Sequence, residues 1–543
     1  MRKLSKKLAL VTALCVSSSI VMTALSGCKK KVEDTENVLE IHIVEAGYGY
    51  DWLNDAIDAF KNEAWVKEKY PNLVIPQLAH TSVDRTYGVT ATIAGPSANT
   101  YDLFFGVDPY GSTPNVKDGN GNSYYEDLTS FYEMEIPGEE IAVKDKMRSD
   151  IYQYLDRPTS DGGTAIYGMP WVNPWMGLLY NKTLVDDIFG ADYIMPRTTN
   201  ELVSMCATIR EDSKTPFIFS AKANYWLQIY QTWWAQYEGT ESYDNFWNGV
   251  DDDGTQTAEI FKQQGRLESL KAIESLINRP LGNNHESCTT ADYTSVQQTF
   301  MRGEAVFIAT GDWMETEMGN LATSQELRAL KMPVLSAFVN RCSGVKDDVA
   351  LAFVVQCVDE SKTYEQAKEA YATAKTSFGA NSQGELSQSD YTKIKEARNL
   401  MYRLQGHQAF IPAYATGKAV AKDFLLFLAS NKGIEIFMKA TRGCQTAFHC
   451  NVSDETYNSF SNLQKERYDR RESFIVMPSQ DSFALNYYGG LRELTRNHTF
   501  DPCFAAQNEG DRKSAEQIFE EEWKYYMDNG QANFLTLLEA SGL

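Results

Sequence analysis

Carboxylates and aromatic rings gather where this chain leaves its strands. Val306-Phe307-Ile308-Ala309-Thr310 reads as a short apolar strand that ends in Gly311-Asp312-Trp313, setting a carboxylate beside an indole. Residues 39–44 alternate as a strand does, and the turn behind them carries Glu45, Tyr48 and Tyr50 before a helical pattern begins at Trp52. Tyr101-Asp102-Leu103-Phe104-Phe105 is a further strand, followed by Asp108. Open α/β sheets bind ligands in the crevice outside the carboxyl ends of their strands, which makes these residues candidates for one site. Trp171, on the approach to a strand at 176–181, and Trp226 add flat apolar surfaces.

The chemistry that suits this set is non-covalent. A neutral sugar offers hydroxyls that need paired donors and acceptors, and C–H faces that stack on rings; carboxylates with Trp and Tyr meet both needs. Each residue also has a plainer use. Trp313 suits packing beneath a cleft, Asp108 a solvated loop, and Asp312 a local cap. Trp226 and Trp233, seven apart on one helix face, suit a packed core. No GxSxG, HExxH or Walker loop occurs and nothing marks a pair of catalytic carboxylates, so no catalytic residue is expected.

Strands that alternate with helices predict a parallel-rich α/β sheet. After the first strand and its helix, residues 70–75 start a second strand, 83–94 can be helical, and 101–105 make the third. The strand at 176–181 leads directly into a helix at 182–189, and an amphipathic helix covers 260–278. Residues 362–401 are polar and helix-rich, in the manner of an inserted segment. The loop 111–123 places Asp118, Asn120 and Asn122 like the start of a calcium loop, but Ser123 stands where glycine is needed and Thr129 where a bidentate Glu belongs. No calcium is expected.

At 543 residues with 43% hydrophobic content the chain exceeds one ordinary domain and can fill two cores. The formal charge of −22 repels phosphate backbones, which argues against nucleic acid as a partner. Six scattered histidines and no CxxC pair exclude a zinc site by spacing, and neither metal nor cofactor is expected. Arg2, Lys3, Lys6 and Lys7 precede a stretch of mainly apolar and small residues at 8–22, too short and weakly hydrophobic for a span, which reads as an export signal. Leu25-Ser26-Gly27-Cys28 at its end resembles the bacterial lipobox. Residues 1–27 are then a lipoprotein signal peptide, Cys28 carries the lipid, and 28–37 tether the mature chain to the extracellular face of the cell membrane. Seven further cysteines remain, and small buried thiols suit them better than bridges in so large an exported chain.

Taken in order, these pieces resemble the family 1 extracellular solute-binding proteins of ABC importers, the group that contains the maltose-binding proteins and many Gram-positive sugar-binding lipoproteins. Phe300-x-x-Gly303-x-Ala305-Val306 leading to Gly311-Asp312-Trp313 is similar to the family's most specific segment; Gly168-Met169-Pro170 with Tyr180-Asn181-Lys182 resembles its first interlobe crossover; and Ala419-x-Ala421-x-x-Phe424-Leu425 resembles its helix. The resemblance implies two α/β lobes, each a mostly parallel sheet flanked by helices, joined by crossover hinge strands and closing over a ligand. By matching segments, lobe one is 38–178 with 408–448 and lobe two is 179–407 with 449–543. It implies capture of a carbohydrate, an oligosaccharide above all, for delivery to ABC transporter permease subunits, with Trp313 stacking on the sugar. A cell-surface glycan hydrolase, or a binder of a non-sugar ligand such as a peptide, are the alternatives.

Overall fold

The computed structural model describes residues 37–478 and 500–525, apart from 83–87, 108–112, 114–115, 160–161, 224, 249, 256, 320, 322 and 405–406. Cys28, residues 1–27 and Asp108 lie outside the described residues.

The first sheet has five strands, in the spatial order Ala79–Ser82, Ile41–Glu45, Leu103–Gly106, Gln408–Phe410 and Met169–Pro170. The first three are mutually parallel and the last two run antiparallel to their neighbours. Ile41, His42, Ile43 and Val44 are all buried, because helices cover both faces of the sheet and no side of the strand meets water. The helix Asp51–Asn62 buries Trp52, Leu53, Ala56, Ile57 and Phe60, one stripe at helical spacing. That stripe packs on the helices Lys418–Ala429 and Asn431–Ala440, each large apolar side chain contributing about 1.5–3 kcal/mol. The expected strand at 70–75 is a correction. Only Val74 of that stretch pairs, in an isolated bridge to Val38, and the second strand is Ala79–Ser82.

The second sheet is built around Trp175–Asn181, whose seven residues are all buried. One edge pairs antiparallel with Phe307–Gly311, which continues to Phe217–Ile218; the other edge pairs with Leu327–Ala329 and Leu400–Arg403, and the latter pairs with Ile475–Val476. Asn181 ends the central strand and caps the helix Lys182–Phe189, its side-chain oxygen accepting the Leu184 N–H at 3.1 Å. Residues 334–397 form a core of their own, in which Phe338, Val354, Val355, Tyr371 and Ile394 bury one another, so the polar inserted stretch is a helical unit on the second sheet.

The chain passes from the first sheet to the second between Pro170 and Trp175, returns between Arg403 and Gln408, and crosses once more before Ile475–Val476. The whole strand Trp175–Asn181 therefore belongs to the second sheet. The helix Asn462–Asp469 then packs on Leu327–Ala329. Cys206, Cys288, Cys342, Cys357, Cys444 and Cys450 are buried free thiols, and no helix among the described residues is long and apolar enough to cross a membrane.

Candidate functional site

The first two passages between the sheets run beside one buried cluster. From the first sheet comes the turn after Ile41–Glu45, where Gly49 holds a left-handed φ of +64° that reverses the chain and leads into the helix Asp51–Asn62. This turn delivers Tyr48, 3% exposed, whose ring meets Trp171, His407, Trp313 and Phe437 at centroid distances of 5.6–6.1 Å. From the second sheet comes the end of Phe307–Gly311, which delivers Asp312 and Trp313. The Tyr48 hydroxyl donates to Asp312 Oδ1 at 2.8 Å, a hydrogen bond between the two halves.

Bare backbone makes room for the rings. A methyl group at Gly47 would lie 2.3 Å from Trp313 Cδ1, and one at Gly311 would lie 2.2 Å from its Cζ3, so the indole is held between a glycine of each half. Gly177 does the same for Trp175, whose Cζ2 would be 2.4 Å from such a methyl. Trp171 stacks on Trp52 at 5.2 Å with 18° between the planes.

The polar floor is charged and dry. Asp312 is fully buried and forms an ion pair with Arg467 Nη1, while Gln464 Nε2 donates to the Asp312 carbonyl at 2.9 Å. Burial pushes the Asp312 carboxyl up from the usual carboxylate range, and the Arg467 guanidinium and Tyr48 hydroxyl pull it back. Burial likewise raises the Tyr48 phenol well above its ordinary value, with the Asp312 charge adding to it. His407 is held neutral, its pKa lowered to about 3 by burial and by the Arg403 charge. Arg467 lies over the Trp175 ring at 5.2 Å. The cluster thus gathers aromatic rings and hydrogen-bonding groups from both halves, the residue types that recognise a hydroxylated ligand.

Of the residues expected from sequence, Tyr48, Trp171, Asp312 and Trp313 come together here. Glu45 and Tyr50 lie at a rim: Tyr50 stacks on His80 at 4.2 Å, and His80 Nδ1 is 3.6 Å from a Glu45 carboxylate that is 40% exposed. Trp226 is not brought to the cluster; it is buried in the second sheet's core between Phe217 and Phe219. Sequence reasoning missed Arg467, Gln464 and His407. His407 adjoins a crossover strand, a signal that was available; the charged run around Arg467 offers none.

Two α/β sheets joined by three chain passages, with polar and aromatic groups converging from both, define a two-lobed solute-binding protein. The family model described as "Bacterial extracellular solute-binding protein" matches residues 51–435, and the chain belongs to that family. Similar folds include a structure described in work on xylan utilization by Caldanaerobius polysaccharolyticus, with 16% identity and a TM-score of 0.55 over 90% of this chain and 99% of that one. A chitin oligosaccharide binding protein gives 16% and 0.56 over 92% and 100%. RafE in complex with raffinose gives 14% and 0.53 over 91% and 99%. No curated protein matches the chain in sequence.

Proposed function

We propose that this protein captures an extracellular carbohydrate between its lobes and delivers it to the permease subunits of an ABC importer, tethered to the membrane through a lipid on Cys28. The observation that carries the reading is the junction itself, where Tyr48 and Trp171 of one half meet Trp313, Asp312 and Arg467 of the other. Sugar-binding neighbours of the same fold support the ligand class. The lobes divide at the three chain passages, with 38–170 and 408–448 on one side. A ligand that prefers the closed arrangement is what would hold it closed.

Thermal unfolding against a panel of mono- and oligosaccharides tests the reading. A ligand bound only by the native state at a hundred times its dissociation constant raises stability by about 2.7 kcal/mol. No shift with any saccharide would overturn it, and loss of an oligosaccharide from the mixture on chromatography would favour a hydrolase. Membrane fractionation of Cys28→Ala checks the anchor: release into the soluble fraction is expected, and full retention would defeat it.

A further inference from the structure

We propose that the carbohydrate received at this junction is acidic, a uronate-type saccharide whose carboxylate docks on Arg467; the inference rests on the carbohydrate reading above. Arg467 comes from the helix Asn462–Asp469, and its side chain is 1% exposed. Its Nη1 pairs with Asp312 and donates to Gln464 Oε1 at 3.1 Å. Its Nε and Nη2 are buried and have no hydrogen-bond partner among the described residues.

Those two N–H groups share one edge of the planar guanidinium and point in parallel, the geometry that matches the two oxygens of a carboxylate. The same chain fills that edge with a carboxylate elsewhere. Arg148 Nε and Nη2 reach Asp150 at 3.0 and 2.7 Å, Arg197 reaches Glu201 at 3.1 and 2.5 Å, and Arg398 reaches Asp359 at 3.1 and 2.7 Å. At Arg467 no side chain of the described residues takes the position. A buried charged donor left unpaired is costly, so a group that arrives with two acceptor oxygens gains where water or a single hydroxyl gains less. Trp171 Nε1 and Gln445 Nε2 are further buried donors without a partner among the described residues, which adds to the demand for oxygen acceptors. Asn173, whose N–H donates to the Gln445 carbonyl at 2.8 Å, ties the Gln445 segment to the first passage between the sheets.

Titration calorimetry of the wild-type protein with oligogalacturonates and oligoglucuronates, against neutral galacto- and gluco-oligosaccharides of matched length, decides it. The acidic series is expected to bind at least about tenfold more tightly, the scale of a charge-assisted paired hydrogen bond. Arg467→Lys keeps a positive charge beside Asp312 but loses the parallel pair of donors, and it is expected to abolish the preference while retaining a cooperative melt. Equal or tighter binding of the neutral series would overturn the inference and leave the carbohydrate reading standing. Binding of neither series would overturn the inference and leave the carbohydrate reading to the wider saccharide panel, and a preference that survives Arg467→Lys would overturn the assignment to that guanidinium.

Discussion

Arg266 and Arg467 are both about 1% exposed, and both face a buried carboxylate. Arg266 lies among the helices of the second sheet. Its Nη2 meets Glu522, its Nη1 donates to the Phe261 carbonyl at 2.8 Å, its Nε to the Tyr230 hydroxyl at 3.2 Å, and Trp234, Phe246 and Phe261 surround it. Arg467, at the junction, uses one nitrogen and keeps two donors unused. A guanidinium that folding alone must stabilise is satisfied on every side. One whose hydrogen bonds are incomplete after folding is the difference on which the acidic-saccharide proposal rests.

The largest effects separate these two roles. Arg266→Met strands the Glu522 carboxyl in the core and is expected to cost about 3–5 kcal/mol in urea melts, without changing saccharide affinity. Asp312→Ala strands Arg467 in the same way and is expected to cost a similar amount, but with loss of binding in calorimetry. An Arg266→Met protein that folds and binds poorly would break the comparison.

A smaller effect concerns protons. His407 at the junction is lowered to about 3 and His42 in the first sheet to about 4, whereas both titrate near 6.5 in an unfolded chain. Below pH 6.5 the unfolded state takes up protons that the native state refuses, so this stability is complete above pH 6.5 and is lost as pH falls. At pH 5 His407 alone accounts for about 2 kcal/mol. Glu522, raised to about 7 by burial, acts with the opposite sign, so the readout is the difference between wild type and His407→Gln in melts at pH 7 and pH 5. Identical pH slopes in the two proteins would mean that water reaches His407 and that the junction is not closed in the free protein.

The parts of the fold that were legible in the sequence are those where burial is continuous along the chain. The apolar runs at 101–105, 176–181 and 306–310 and the helix at 182–189 all match, because a strand covered on both faces must be apolar throughout. Residues 70–75 misled: an apolar composition around Val74 suggested a strand, yet Val74 is 53% exposed, while the actual edge strand Ala79–Ser82 carries little apolar character. Asp312, Trp313, Tyr48 and Trp171 were legible because strand ends announce themselves. Trp226 could not be told from a core residue by spacing alone. Arg467 was invisible, since its helix reads as a solvated charged face and its burial comes from contacts with Asp312, 155 positions away.

Hydrogen exchange measured by mass spectrometry, with and without a saturating saccharide, tests the central claim most directly. Slowed exchange is expected in 46–50, 171–175, 311–315 and 462–469, the segments that meet at the junction, with the helices around Arg266 and Glu522 unchanged. Protection confined to other segments, with the junction exchanging as it does in the free protein, would contradict it.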